Sequence, residues 1–361
     1  MPSKVIVGMS GGVDSSVAAY LLCKQGFHVE GLFMKNWEED DNEEYCAAAV
    51  DLADAQSICD QLNIPLHTVN FSSEYWDNVF QHFLNEYKAG RTPNPDIICN
   101  KEIKFRAFLN YALDLDAEYI ATGHYARCDI AGSSVQLKKS RDTDKDQTYF
   151  LHTLNTSQLK KALFPLGEID KSEVRLLAKE NNFDVHDKKD STGICFIGER
   201  KFKDFLQTYI PSVPGDIFSL SDEYIGKHEG IMFYTIGQRQ GLGIGGKKGL
   251  PEDPWYVADK DNATNNLYVV QGHDSKALFH SKIITHDVHW IAGHPPQNIE
   301  NINAKIRYRQ QETPCRIHNV TKRSLLVTFD SPQWAVAPGQ SIVFYQHDTC
   351  LGGGIITERQ T

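Results

Sequence analysis

Over roughly the first 125 residues, short apolar runs alternate with stretches whose apolar residues recur at helical spacing, and this alternation restricts the fold more than any other property of the chain. Val5-Ile6-Val7-Gly8-Met9 reads as a buried strand, and Val13, Val17, Ala18, Leu21 and Leu22 then mark a helix that stops near Gly26. Residues 28–34 form a second strand, 47–62 a helix, 65–71 a third strand and 72–89 another helix. A further helix over 100–115 precedes the strand Tyr119-Ile120-Ala121-Thr122. The pattern predicts an α/β fold: a parallel sheet with helices on both faces, whose chemistry lies in the loops beyond the carboxyl ends of the strands.

The remainder reads differently. Short helical stretches dominate 148–197, including 171–181. Residues 200–275 are rich in Gly, Tyr and Pro, with turn signals at Pro214-Gly215 and Asp261-Asn262, which predicts a small α+β or mostly β module. After 276, β-type runs at Ile283-Ile284, 304–308, 325–329 and 341–345 are separated by Pro, Gly and Asn, as in a small β-barrel or sandwich. A length of 361 residues suits two or three domains. The expected division is 1–199, 200–275 and 276–361.

Composition narrows the function classes. The uncharged apolar runs fall far below the roughly 20 residues of a membrane helix, and Met1-Pro2-Ser3-Lys4 leads straight into a strand, so a cytoplasmic protein is expected. Eight cysteines without a C-x-x-C pair argue against a zinc ribbon and a secreted disulfide framework; most are expected to be reduced and buried. With no long apolar seam, a monomer is expected. The net charge of −10 by itself argues against a nucleic-acid partner, yet residues 276–361 carry nine Lys/Arg against six Asp/Glu. Much of the negative charge sits in Glu38-Glu39-Asp40-Asp41-Asn42-Glu43-Glu44, which reads as a solvated loop rather than a metal site. RNA is therefore not excluded.

Four features point to chemistry. Ser10-Gly11-Gly12-Val13-Asp14-Ser15-Ser16 falls between the first strand and the first helix, where glycines let the backbone approach an anion and the helix end offers unpaired N–H groups. It lacks the Lys of a Walker loop and resembles the pyrophosphate loop of the PP-loop ATPases, which cleave ATP between its α and β phosphates. Gly241 to Lys248 imitates a nucleotide loop but lacks the Ser/Thr, and Gly249 and Pro251 prevent a following helix. The segment Pro93-Asn94-Pro95-Asp96-Ile97-Ile98-Cys99-Asn100 reads as a rigid turn feeding a helix that starts near Asn100. That would put Cys99 at a helix N-terminus, where the dipole and Lys101 and Lys104 favour the thiolate; Asp96 would act as acid or base or as a cap. Asp190 to Arg200 places a second thiol, Cys195, among small residues, which suits persulfide chemistry as well as it suits two unrelated core cysteines. Lys145-Asp146-Gln147-Thr148-Tyr149-Phe150, and Arg307-Tyr308-Arg309-Gln310 with Arg and Gln on one strand face, are candidate RNA contacts or plain solvated surface.

Taken together these residues resemble the tRNA-specific 2-thiouridylase family over essentially the whole chain. The resemblance rests on the loop at 10–16, Asn94-Pro95-Asp96 with Cys99-Asn100 and Ile103-Lys104-Phe105, Thr122-Gly123-His124-Tyr125, Lys145-Asp146-Gln147, Ser191 to Arg200, Tyr234-Thr235-Ile236-Gly237-Gln238-Arg239 and Arg307-Tyr308-Arg309-Gln310. It implies a PP-loop domain, a small central domain and a C-terminal β-barrel that clamp one tRNA. It also implies ATP-dependent 2-thiolation of the wobble uridine of tRNAs for Lys, Glu and Gln. Gly8, Met9, Ser10, Gly11, Gly12, Val13, Asp14, Ser15, Met34 and Gly123 would bind ATP. Cys195 would take sulfur from a relay protein as a persulfide, Cys99 would be the second thiol, and Asp96 would manage the proton. Asn94, Pro95, Asp96, His124, Lys145, Asp146, Gln147, Arg307, Tyr308 and Gln340 would contact tRNA. Magnesium would accompany ATP, with no ligand nameable beyond the vicinity of Asp14. The rival readings are another PP-loop enzyme, of lysidine or 4-thiouridine type, and a non-catalytic RNA-binding protein that responds to ATP. An iron-sulfur variant needs three or four thiols where two lie in suggestive loops.

Overall fold

The computed structural model describes residues 2–38, 47–132, 134–189, 202–244, 253–321 and 323–360. The first strands and helices follow the sequence pattern: β1 (Lys4–Met9), α1 (Val13–Lys24), β2 (His28–Lys35), α2 (Ala47–Leu62) and β3 (Leu66–Asn70). Next come two long helical runs, α3 over 72–88 and α4 over 95–114, each with a π-helical middle, at Trp76–Phe80 and Asn100–Ala107. After β4 (Tyr119–Ala121), the hairpin β5 (Ala126–Ala131) and β6 (Ser134–Lys139) precedes a two-residue strand, β7 (Ala162–Leu163). The parallel sheet runs β3-β2-β1-β4-β7.

Side-chain alternation in β1 explains its two covered faces. Val5, Val7 and Met9 pack with Val17, Ala55, Ile58 and Val174, so α1, α2 and the helix Lys171–Glu180 lie on that side. Ile6 points the other way, into Phe80, Phe83, Phe105 and Phe108 of α3 and α4.

The stretch 148–197, read as helical, also supplies β7, which is too short to leave a periodic signal. The hairpin β5–β6 belongs by pairing to the C-terminal sheet, through Thr349 opposite Lys138 and Cys350 opposite Leu137.

The central region forms a four-stranded sheet from β8 (Gly215–Ser219), β9 (Tyr224–His228), β10 (Trp255–Asp261) and β11 (Asn266–Gln271), in the order β10-β11-β8-β9. Preceded by the helix Phe202–Tyr209, it is the small mixed module that composition suggested. The last region comprises β12 (Phe279–Trp290), β13 (Asn303–Lys305), β14 (Thr313–Thr321), β15 (Ser324–Trp334), β16 (Ser341–Gln346) and β17 (Thr349–Gln360). Their order β12-β15-β14-β13-β16-β17 closes on itself through β12–β17, a six-stranded barrel around Ile283, Val327, Ile342, Phe344 and Ile356. β13 ends at Lys305, so Arg307 to Gln310 form a turn and not the strand face expected; Gln310 holds it by accepting the Ile306 N–H with its side chain and donating its own N–H to the Arg307 carbonyl.

Candidate active site

The glycine loop lies at the carboxyl end of β1. Gly11 adopts a left-handed φ of 67°, and a Cβ there would overlap the carbonyl of Asp51 on α2, so only glycine fits. Gly12 is the N-cap of α1 and has no side chain with which to cap it. The hydroxyls of Ser15 and Ser16 turn inward and donate to the Gly12 carbonyl at 3.0 and 2.9 Å, while the Ser15 oxygen accepts the Ser10 N–H. A twelve-residue helix therefore presents an end with no side-chain cap and a favourable dipole to whatever anion enters. Gly8 packs under Phe108 and Met34, which leaves a Cβ only 3.3 and 3.4 Å from their side chains. At Gly123 a Cβ would lie 2.8 Å from the Asp14 carbonyl carbon, so the chain leaving β4 crosses directly over the start of α1. The residues expected to hold ATP thus converge on one strand-end cradle.

Asp14 is engaged within the protein. Both of its oxygens accept from Lys171 Nζ, at 2.7 and 2.8 Å, and Tyr125 donates its hydroxyl at 2.8 Å. A second lysine, Lys188, donates to the Gly11 carbonyl at 3.0 Å and to Asp51 and Asp54 at 2.8 and 2.6 Å. Burial works against its charge, but the two carboxylates raise its pKa above the ordinary lysine value. The sequence marks neither lysine, and it marks Tyr125 only as part of the motif at 122–125, with no sign that its hydroxyl meets Asp14. Lys171 at a helix start and Lys188 just after a helix end carry no periodic or motif signal, so nothing in the pattern marks either lysine.

The second group of residues lies on α4. The helix begins at Pro95, not near Asn100: Asn94 is its N-cap and accepts the Asp96 N–H at 3.1 Å, and proline is favoured as the first helical residue because it needs no hydrogen-bond acceptor. Cys99 consequently sits a full turn inside the helix and is buried, so the expected dipole effect on its thiol is weakened, since that field fades within the first turn. Asp96 lies three residues before it, on the same helix face. Burial pushes its carboxyl pKa above the ordinary value, and the Lys104 charge opposes this only in part.

His124 joins the two groups. It follows Gly123, its ring lies 5.8 Å from that of Phe105 on α4, and its Nδ1 is 2.8 Å from the Thr122 hydroxyl. Burial, reinforced by Lys104, holds its pKa well below 6.5, so the imidazole is neutral.

The remaining candidate RNA contacts are anchored internally. Asp146 is 4% exposed and accepts from the Ser140 N–H and the Thr148 hydroxyl, and burial raises its pKa. The Gln147 side chain accepts the Tyr125 N–H at 2.9 Å, and Lys145 donates its N–H to Asp142. Tyr308 packs 4.3 Å from Phe150, beside Asn100, whose amide donates to the Phe150 carbonyl. Arg307 donates to the carbonyls of Ile236 and Ala335 at 3.1 and 2.7 Å and lies over the Trp334 ring. Gln340 donates to the carbonyls of Thr92 and Pro93, just ahead of Asn94. Cys195 lies outside the described residues, as do most of the acidic run and 245–250. Among the described residues, Cys23, Cys59, Cys128, Cys315 and Cys350 form no disulfide. Burial pushes the thiols of Cys59 and Cys315 up to about 12 and that of Cys128 to about 11, which makes them inert filling.

The chain is similar to known proteins along its whole length. Residues 3–199 match the family described as tRNA methyl transferase HUP domain, 203–271 the tRNA methyl transferase PRC-barrel domain and 280–356 the aminomethyltransferase beta-barrel domain. The tRNA-specific 2-thiouridylase MnmA of Shewanella halifaxensis is 62% identical over 355 residues, 98% of this chain and 95% of that protein. The protein of the same name from Francisella philomiragia is 59% identical, covering 98% of this chain and 99% of its own length. With similarity of this extent running through all three regions, the chain belongs to the tRNA-specific 2-thiouridylase MnmA family.

Proposed function

We propose that this protein is an ATP-dependent tRNA-uridine 2-sulfurtransferase, acting on the wobble uridine of tRNAs for Lys, Glu and Gln. The observation that carries the reading is the short exit from β4. Gly123 abuts the uncapped start of α1 and His124 abuts Phe105 of the helix that bears Asp96 and Cys99, so an anion cradle and the thiol-bearing helix flank one strand end. The central module and the barrel follow in the chain, in a proposed division at 1–199, 200–275 and 276–361.

The chemistry follows from what each group can do. The C2 oxygen of uridine is amide-like and leaves poorly. Attack of that oxygen on the α-phosphorus of ATP makes a bond to AMP and breaks the α–β phosphoanhydride, with pyrophosphate received at the α1 end. Sulfur then adds at C2 and AMP departs with the oxygen. A relay protein is proposed to load Cys195 as a persulfide. Cys99 attacks the Cys195 sulfur and frees the outer sulfur, either as hydrosulfide before the addition or from the adduct after it. A Cys99–Cys195 disulfide results, which an external thiol must reduce before the next turnover. Asp96, whose raised pKa keeps a proton within reach, serves as the proton carrier. Asn94, Pro95, His124, Lys145, Gln147, Arg307, Tyr308 and Gln340 are proposed to shape the RNA-binding surface.

Magnesium is proposed to enter with the ATP phosphates. Asp14, bound to Lys171 and Tyr125, is a poor ligand for it, and among the described residues no group of three or more His, Cys, Asp or Glu is arranged to hold a metal. Among those residues no helix is long and apolar enough to cross a membrane. A cytoplasmic location and a monomeric state are proposed.

Nucleoside mass spectrometry on unmodified tRNA, incubated with protein, ATP, magnesium and a sulfur donor, tests the reading. ATP-dependent 2-thiouridine is the expected product. AMP release without a thiolated base would leave adenylation standing and remove the sulfur chemistry, and with it the roles of both thiols.

A further inference from the structure

The connection between α3 and α4 is gripped from two domains at once. On the central sheet, Asn262 donates its amide to the Ala89 carbonyl at 2.7 Å. Gly90, in a left-handed φ of 71°, has no room for a Cβ because that amide lies against it. The hydroxyl of Thr235 meets that of Thr92 at 3.1 Å. From the barrel side, the Pro338 carbonyl accepts the Thr92 N–H at 3.0 Å, and Gln340 donates to the Thr92 carbonyl at 2.7 Å. Gly339 lies so close that a Cβ would fall 2.8 Å from the Thr92 nitrogen. Two residues beyond Thr92, Asn94 caps α4, and the next turn carries Asp96 and Cys99.

We propose that Asn262 and Thr235, together with Gln340, are positioning residues: through 89–94 the central module and the barrel set where the start of α4 stands, and so where Asp96 and Cys99 meet the substrate base. The inference rests on the proposed function, because it supposes that Asp96 and Cys99 act on RNA. The physical argument is one of rigidity. A connection held at Ala89, Thr92 and Pro93 by two outside domains leaves the helix start little freedom of its own, and misplacement of a reacting group by an ångström costs on the order of 100-fold in rate. None of the tethering side chains needs to touch the base. An RNA that binds across the two accessory domains would thereby also fix the thiol-bearing helix.

The test uses the full chain with Asn262→Ala and Thr235→Val combined, and Thr235→Ser as the conservative control. The double variant is expected to lower kcat for 2-thiouridine formation about tenfold. Its KM and Kd for tRNA should stay within about twofold, and amide hydrogen exchange should quicken over 89–99 alone. Thr235→Ser, which keeps the hydroxyl, is expected to behave as wild type. Unchanged exchange at 89–99 or an unchanged kcat would overturn the proposal, and so would a rise in tRNA Kd matching the loss in kcat/KM, which would make these residues direct RNA contacts. If the wild-type protein itself makes no 2-thiouridine, the proposed function fails, whereas the exchange measurement still reports on the tether separately.

Discussion

Two helix starts that carry the candidate site are built in opposite ways. At α1 the N-cap is Gly12, no side chain closes the end, and Gly11 takes a conformation other residues avoid. At α4 the end is closed by the Asn94 side chain and by Pro95, and the reactive residues Asp96 and Cys99 stand two and five positions beyond the cap. The difference separates two uses of one element. An open end binds with its backbone, so its side chains must be absent or folded away, as Ser15 and Ser16 are. A closed end spends its backbone N–H groups on its own cap and serves as a rigid mount for Asp96 and Cys99.

The comparison is broken most sharply by substituting one residue at each end. Gly11→Val forces a Cβ into the Asp51 carbonyl and is expected to reduce AMP formation about 100-fold or more, since one lost oxyanion-type donor alone costs that much. Cys99→Ser is expected to abolish 2-thiouridine while leaving ATP affinity by calorimetry within about twofold, because the thiol lies on the other helix. Should Cys99→Ser weaken ATP binding as Gly11→Val does, the two ends act as one site and the division of labour is wrong.

Asp96→Asn probes the closed end by itself. Turnover is expected to fall about 100-fold, the usual contribution of a placed acid or base. The sign of the stability change is set by burial. A carboxyl whose pKa is raised in the fold favours the protonated form, so its contribution is complete below the unfolded value of 3.8 and is lost as pH rises through the folded pKa. At pH 7 the neutral amide is therefore expected to be no less stable than wild type in urea unfolding, and at pH 4 the difference narrows. A marked loss of stability at pH 7 would mean that the carboxylate is held by a partner and is not a spare acid.

Legibility in the sequence follows the same line between backbone and side-chain construction. The glycine loop, the parallel sheet and the closed barrel could be read because periodicity and glycine placement are local signals: Val5, Val7 and Met9 alternate with Ile6, and Gly11 and Gly12 fall between strand and helix. The start of α4 was misplaced by five residues because Pro93 and Pro95 look like a turn, although proline is welcome at a helix start. Lys171 on Asp14, Lys188 on Gly11, and the grip of Asn262 and Gln340 on 89–94 had no local signature at all. They join residues 157, 177, 173 and 248 positions apart, so only the fold brings them together. The turn at 306–310 looked like a strand because its polar and aromatic residues alternate, but the Gln310 side chain takes the ladder's place.

The smallest expected effect exchanges the character of the two ends. Gly12→Ser gives α1 a hydroxyl in the cap position; the backbone there has a φ of −107°, and a Cβ would meet only the Ser10 hydroxyl, at 3.4 Å. Serine over glycine as a cap is worth only a few tenths of a kcal/mol, so urea unfolding should show at most a slight gain. The new hydroxyl accepts an N–H that a phosphate would otherwise use, and ATP binding by calorimetry is expected to weaken several-fold, by about 1 kcal/mol. Asn94→Ala runs the other way: it removes a cap worth about 1 kcal/mol from α4 and should leave ATP affinity as it was. If Gly12→Ser bound ATP as tightly as wild type, the N–H groups at the end of α1 would not be the ones that hold phosphate, and the openness of that end would lose its functional meaning.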